Sequence, residues 1–316
     1  MIREPKSFSA KILLFGEYAI LGDGLALAIP HGSRNGRLRF SDSLESNVEH
    51  LNSNVELLKL LDFIEHEGDI EGFNTDLFHH DLSRGLIFDS NIPKGYGLGS
   101  SGALCAALYH GYIQDNIDLA NPGKVGIFKI ISAMKRLENF FHGTSSGFDP
   151  LVSYIGQPLL RKLNGDIDAL ELKHFNDWDL RIFLVDSGLK RSTQPLVEAF
   201  NQRCVDPYFK ESFESQFISS NNNAIFSFLK GDDEKVLENM KRISNYQLQN
   251  MSFAIPENMK QLWQNGIDTN DYYLKLCGAG GGGAFVGFTN NIEKISEVIP
   301  ENMFWLVENR KAVSAE

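Results

Sequence analysis

Residues 93–102, Pro-Lys-Gly-Tyr-Gly-Leu-Gly-Ser-Ser-Gly, combine residue types that could bind an anion. Glycines at alternate positions let the backbone turn tightly and approach a ligand closely. The apolar run that follows predicts a helix beginning at Ser100 and Ser101, with serine as its N-cap. A helix start carries unpaired N–H groups and the positive end of the helix dipole, so the segment predicts a phosphate site. A glycine-rich turn that only caps a core helix is the alternative.

A second glycine cluster, Gly-Ala-Gly-Gly-Gly-Gly at residues 278–283, lies between two predicted strands. Glycine weakens a strand pair, so the cluster favours close approach to a ligand, with a wide hairpin bend as the alternative. Residues 97–102 and 278–283 both match the loose dinucleotide-binding pattern G-x-G-x-x-G, but no clear strand follows the helix after residue 100. An oxidoreductase that binds NAD(P) is therefore a remote alternative.

The composition narrows the class of protein. The 316 residues include 41 acidic and 30 basic side chains, giving a formal net charge of −11, which argues against broad binding to nucleic acid or membrane surfaces. Three widely spaced cysteines predict neither a disulfide framework nor a zinc site. Residues 1–8 lack the apolar run of an export signal, and no stretch is long enough to span a bilayer, so we expect a cytoplasmic location.

In the second half of the chain, predicted strands and helices interleave without the regular alternation of βαβ units. Strands are predicted at residues 10–15, 85–88, 181–185, 272–276, 284–288 and 304–307. Helices are predicted within residues 41–71 and at 100–108, 124–141, 194–201, 213–228 and 233–250. Two apolar runs flank the Gly-Asp-Gly sequence at residues 22–24, which predicts a β-hairpin. We therefore predict an α+β fold with two domains, residues 1–187 and 188–316.

The two glycine loops and the segment Ala-Lys-Ile-Leu-Leu-Phe-Gly-Glu-Tyr at residues 10–18 resemble, in order, the three motifs of the GHMP kinase superfamily. Residues 138–150, with Glu, His-Gly, Ser-Gly and Asp in matching positions, resemble most closely the mevalonate kinase branch. The resemblance implies a ribosomal protein S5 domain 2-like N-terminal domain and a ferredoxin-like C-terminal domain. It also implies transfer of phosphate from ATP, with Mg²⁺, to the primary alcohol of mevalonate, giving 5-phosphomevalonate.

The resemblance further implies roles for individual residues. Asp149 matches the catalytic base and Lys11 the catalytic lysine that keeps this carboxylate ionised, while Ser101 and Glu138 match Mg²⁺ ligands. The residues that match ATP-binding positions are Lys94, Gly95, Gly97, Leu98, Gly99, Ser100, Ser101 and Gly280. The residues near the substrate end are Glu17, Arg191, Thr193, Gly278 and Ala279. Without the motifs, Asp149 would be interpreted as a helix cap, Lys11 as an exposed strand lysine and Glu138 as part of a solvated helix face.

Departures from the family pattern leave the substrate open. Gly102 replaces a common alanine, which should loosen the helix start slightly. Tyr18 replaces a histidine seen in many mevalonate kinases, and tyrosine at this position is also common in phosphomevalonate kinases. A phosphomevalonate kinase is therefore the closest alternative, and an inactive ATP-binding sensor is another. The family resemblance also suggests a homodimer.

Overall fold

The computed structural model describes residues 6–42, 47–67, 70–114, 117, 123–143, 145–172, 179–190, 193–298 and 303–305. The chain forms two compact units. Unit 1 comprises Met1–Ile12, Ile29–Lys94 and Leu98–Gln157, and unit 2 comprises Leu13–Ala28, Gly95–Gly97 and Pro158–Glu316. The domain boundary after residue 187 stays a prediction.

Two strands, β1 (Phe8–Phe15) and β2 (Ala26–Phe40), contribute residues to both units. The other elements of unit 1 are α1 (Val48–Glu67), α2 (Thr75–Ser83), β3 (Leu86–Ser90), α3 (Ser100–Tyr112), α4 (Gly123–His142) and α5 (Phe148–Ile155). The end of β2 pairs antiparallel with β3, from Gly36 opposite Ser90 to Phe40 opposite Leu86.

Helix α3 lies in the core of unit 1, where it packs against both α4 and α5. Its sequence is dominated by alanine and other small or apolar residues, and nine of its thirteen residues are buried. A helix that is apolar on all sides is stable only when it is surrounded by other elements. The start of α3 is therefore held in a fixed position relative to its two neighbours.

Unit 2 contains a second sheet and the described helices that follow residue 158. The elements of unit 2 are β4 (Leu159–Arg161), β5 (Ile167–Ala169), β6 (Arg181–Asp186), α6 (Gln194–Arg203), α7 (Pro207–Ser212), α8 (Ser219–Lys230), α9 (Asp233–Asn250), α10 (Glu257–Thr269), β7 (Tyr273–Leu276), β8 (Ala284–Thr289), α11 (Ile292–Val298) and β9 (Met303–Trp305). The start of β2 pairs antiparallel with β4, and β4 with β5. Four antiparallel strands, in the order β7-β8-β6-β9, form the second sheet, against which α9 packs.

The β-hairpin predicted around residues 22–24 is wrong. Ala19–Leu21 forms a 3₁₀ turn instead, and the backbone N–H groups of Gly22 and Gly24 both donate to the carbonyl oxygen of Ala19. A Cβ on Gly24 would lie 2.7 Å from the Cβ of Ala19, so glycine is required for this tight fold. Local turn hydrogen bonds therefore replace the expected strand ladder.

The predicted α+β class is confirmed, because helices lie beside sheets in which the β2–β3, β2–β4 and β6–β8 pairs are antiparallel. Over the described part of the chain, no strand follows α3 before α4, so α3 is not part of a βαβ unit. The described helices include none that is both long and apolar enough to cross a membrane.

Candidate active site

Lys11 is a buried charge on strand β1 of unit 1. Its side chain is only 4% exposed, and its backbone N–H donates to the carbonyl oxygen of Leu98 at 3.0 Å. Burial of an ammonium group is costly unless a partner of opposite charge is in contact with it. The interpretation of Lys11 as an exposed strand lysine is therefore wrong.

Asp149 is the partner of Lys11. It is the second residue of α5, and its Oδ2 lies 2.5 Å from the Nζ of Lys11. The carboxylate is 35% exposed although the ammonium is buried, so a ligand can reach the acid while the lysine supports it from the protein side. This geometry suits a base that must accept a proton from a bound hydroxyl group.

The glycines of the loop before α3 adopt backbone conformations that favour glycine. Gly95, Gly97 and Gly99 have φ values of 82°, 76° and 78°. At Gly99 a side chain is also excluded by contact, because an added Cβ would lie 2.6 Å from the Cγ of Lys11. The loop thus passes directly over the aliphatic part of Lys11 and brings the start of α3 next to the Lys11–Asp149 pair.

The predicted serine cap of α3 is not formed. Gly99 occupies the N-cap position, no side-chain hydrogen bond caps the helix, and Ser100 and Ser101 are its first two residues. Because the N-cap residue is a glycine, it supplies no capping side chain to the first N–H groups of α3. Such a helix start can bind an anion, because its N–H groups and its dipole both favour negative charge.

Glu138 on α4 is buried in the same unit, which corrects its interpretation as part of a solvated helix face. Burial raises the pKa of the Glu138 carboxyl to about 8, and the nearby Asp149 carboxylate contributes to the rise. The hydroxyl of Ser145 donates a hydrogen bond to Oε2 of Glu138, and this contact lowers the pKa, as does the charge of Lys11. Ser145 was not predicted as a site residue, because its only signal in the sequence is its position in a run of small residues.

The charges of Glu138 and Asp149 suit a bound divalent cation. An additional positive charge would relieve the repulsion between these two carboxylates. Among the described residues, no group of three or more His, Cys, Asp or Glu side chains could hold a metal by itself. Mg²⁺ normally takes few ligands from protein and completes its shell with phosphate oxygens and water. Glu138 and Ser101 are the side chains predicted to hold it.

Gly102 is explained by packing, not by helix propensity. A Cβ at this position would lie 3.2 Å from both the carbonyl carbon of Asp149 and the nitrogen of Pro150. The glycine lets the first turn of α3 approach the backbone of α5. Glycine is expected to destabilise the first turn of α3 slightly, but at this position it also allows close packing against the backbone of Asp149 and Pro150.

Glu17 forms a buried ion pair in unit 2. The Nζ of Lys275 contacts the Oε1 of Glu17 and also donates to the carbonyl oxygens of Leu276, at 2.8 Å, and Leu13, at 3.3 Å. Each side chain of the pair is only 1% exposed. The pair links the residues after β1 to β7, immediately before the second glycine loop. A role for Glu17 at the substrate end stays a prediction.

The second glycine loop connects the antiparallel strands β7 and β8, so it is a hairpin bend. Added Cβ atoms at Gly280 and Gly283 would lie 2.5 Å from the carbonyl oxygen of Ala254 and the Cα of Tyr96, respectively. The close approaches seen at these two glycines are therefore to the protein itself. Tyr18 also contacts this loop, through a hydrogen bond from its hydroxyl group to the carbonyl oxygen of Ala279 at 2.8 Å.

The remaining predicted site residues are placed as follows. Lys94 is exposed and forms an ion pair with Glu56 of α1. Leu98 is buried, and Thr193 is the residue before α6, where its side chain forms no capping hydrogen bond. Arg191 lies outside the described residues. The roles predicted for these residues, and for Gly278, Ala279 and Gly280, stay predictions.

Comparison with protein families gives two matches in chain order. Residues 57–157 match the GHMP kinases N terminal domain, and residues 224–303 match the GHMP kinases C terminal domain. Together the two matches cover more than half of the chain. The chain belongs to the GHMP kinases. The predicted family resemblance is thereby confirmed.

Relatives of this GHMP kinase include mevalonate kinases. The mevalonate kinase of Dictyostelium discoideum is 25% identical over 89% of this chain and 86% of its own length. The Arabidopsis thaliana mevalonate kinase is 26% identical over 68% of this chain, and the match spans 59% of the plant protein.

The fold agrees with a solved structure of the same family. The crystal structure of L. major mevalonate kinase in complex with R-mevalonate superimposes with a TM-score of 0.62, covering 96% of this chain and 95% of the other. The two sequences are 17% identical, so this likeness concerns the fold alone.

Proposed function

We propose that this GHMP kinase transfers the γ-phosphate of ATP to the primary alcohol of mevalonate, giving 5-phosphomevalonate and ADP. The observation that carries the proposal is the pairing of buried Lys11 with the partly exposed Asp149, next to a helix start whose N-cap residue is Gly99. The curated relatives named mevalonate kinase support the choice of alcohol. A homodimer and a cytoplasmic location belong to the same proposal.

The residues of unit 1 divide the chemistry between them. Asp149 accepts the proton of the substrate hydroxyl while the hydroxyl oxygen forms a bond to the γ-phosphorus of ATP. The bond between that phosphorus and the oxygen that bridges to the β-phosphate breaks, and ADP leaves. Lys11 holds the Asp149 carboxylate in place through their 2.5 Å contact. The N–H groups at the start of α3 stabilise negative charge on the phosphates.

Glu138 and Ser101 would hold Mg²⁺ with the nucleotide. When bound, the cation would neutralise charge on the phosphate oxygens. The pKa of Glu138, raised to about 8 by burial and by Asp149, means that this acid must release a proton before it can serve as a ligand near neutral pH. Asp149 contributes to the raised pKa of Glu138, so the two carboxyl groups lie near each other and a cation bound beside Asp149 would also be near Glu138.

The test is ADP release from ATP and Mg²⁺ with a panel of alcohols that includes mevalonate, 5-phosphomevalonate and galactose. We expect saturable ADP release with mevalonate, together with formation of 5-phosphomevalonate. Turnover of 5-phosphomevalonate alone would reassign the protein as a phosphomevalonate kinase. ATP binding without turnover of any alcohol would favour the sensor, and a rise in melting temperature with NAD(P) but not with ATP would favour the oxidoreductase.

A further inference from the structure

Ser145 connects the acid on α4 to the start of α5. Its hydroxyl donates to Oε2 of Glu138, and its oxygen accepts a hydrogen bond from the backbone N–H of Gly147 at 2.9 Å. Gly147 is the N-cap of α5, and Asp149 follows two residues later. One hydroxyl group therefore links the Glu138 carboxylate to the helix that carries Asp149.

Ser145 lies between two closely packed helices, α4 on one side and the start of α5 on the other. A Cβ on Gly147 would lie 2.8 Å from the carbonyl oxygen of Ile131, so the start of α5 is pressed against the backbone of α4. Glu138 by itself has three side-chain torsions, and ordering such a side chain costs conformational entropy. The Ser145 hydroxyl is itself held by the backbone N–H of Gly147, so its hydrogen bond to Oε2 can fix the last side-chain torsion of Glu138.

We propose that Ser145 is a positioning residue that holds the Glu138 carboxylate in the orientation in which it binds the divalent cation of a metal–nucleotide complex. This inference rests on the proposed function. The hydroxyl contacts Oε2 and so leaves Oε1 of Glu138 unobstructed by Ser145. Hydrogen bonds to a metal ligand commonly contribute about 10- to 100-fold to metal affinity, because they fix the orientation of that ligand.

Threonine and valine provide a matched pair of variants, because they have nearly the same shape and only threonine keeps the hydroxyl. The measurement is calorimetric binding of ADP to the full chain over a series of Mg²⁺ concentrations, without alcohol. In Ser145→Val we expect the Mg²⁺ concentration that gives half of the metal-dependent gain in ADP affinity to rise by about 10- to 100-fold. Ser145→Thr should stay close to the native protein, and metal-free ADP binding should be the same in both.

Ser145→Ala removes the hydroxyl without adding a methyl group and should show the same rise as valine, even if valine disturbs the loop. Equal Mg²⁺ dependence in the native protein and in the alanine variant would overturn the positioning role. An equal rise in the required Mg²⁺ concentration in the threonine and valine variants would also overturn it. A loss of metal-free ADP binding would do the same, because either result would indicate a general effect on folding. Absence of Mg²⁺-dependent ADP binding in the native protein would instead overturn the proposed kinase function.

Discussion

Gly99→Ala should displace Lys11 from Asp149. The new Cβ would lie 2.6 Å from the Cγ of Lys11, whereas carbon atoms prefer about 3.5 Å or more, so the lysine must move by about 1 Å. Lys11 cannot swing aside freely, because its backbone is hydrogen-bonded to Leu98 and its Nζ is held by Asp149. We expect about 1–3 kcal/mol from this overpacking, in addition to about 1–2 kcal/mol for alanine at a φ of 78°. A displacement of this size at a catalytic group can lower the rate by about 100-fold.

Gly165→Ala is the matched control. Gly165 has a φ of 81°, but an added Cβ there would meet no atom within 4 Å, so the variant isolates the backbone cost. The free energy of unfolding, from urea titration, and kcat for mevalonate, from ADP release, should be measured for both variants. Gly99→Ala should lose both more stability and much more activity. A loss of kcat no larger than in Gly165→Ala would show that Gly99 is not needed to make room for Lys11.

Three further substitutions test the same unit. Asp149→Asn removes the base but keeps its shape, so kcat should fall by about 10²–10⁴-fold while ATP affinity stays near native. The melting temperature should fall, because the buried Lys11 ammonium loses its counter-charge. Unchanged turnover would remove the catalytic assignment. Lys11→Met keeps an apolar stem in the buried position, so kcat should fall far more than stability, and a variant that simply unfolds would assign Lys11 a structural role. The pKa of Glu138 is about 8, against an ordinary value of 4.5, so the folded state holds a proton that the unfolded chain has lost at intermediate pH. The free energy of unfolding without metal should therefore fall from about pH 5 to about pH 8, and Glu138→Gln should flatten this fall; equal slopes by urea titration would contradict the shifted pKa.

The sequence was informative where a local pattern has one physical meaning. The glycines before Ser100 and the apolar run after it predicted the start of α3, and the structure places the helix there. The family motifs, not periodicity, predicted that Lys11 and Asp149 act together, since nothing in the spacing of two residues 138 positions apart indicates contact. The family and the α+β class are confirmed, whereas the catalytic roles stay predictions.

The sequence was less informative where a glycine or a serine has several possible uses. The Gly-Asp-Gly sequence at residues 22–24 fits a hairpin, but the contact between Gly24 and Ala19 favours a 3₁₀ turn that no short pattern indicates. Serine before an apolar run usually caps the helix, yet Gly99 takes the cap position because its positive φ lets the loop cross Lys11.

Long-range polar contacts were not predictable from the pattern. Lys275 and Glu17 are 258 residues apart, and each alone has the appearance of an ordinary surface charge in the sequence. Ser145 is one of several small residues in its loop, and its significance depends on the buried position of Glu138. Such contacts arise only after the elements have packed, so single-residue types cannot indicate them.

The proposed mechanism requires Lys11 and Asp149 to act as one catalytic unit in phosphate transfer to mevalonate. A double-mutant cycle on kcat, with Lys11→Met, Asp149→Asn and the double variant, measures whether they do. Adding Lys11→Met to Asp149→Asn should cause little further loss of kcat, because the lysine acts through the carboxylate that is already gone. Losses of kcat that multiply in the double variant would show that the two residues work independently.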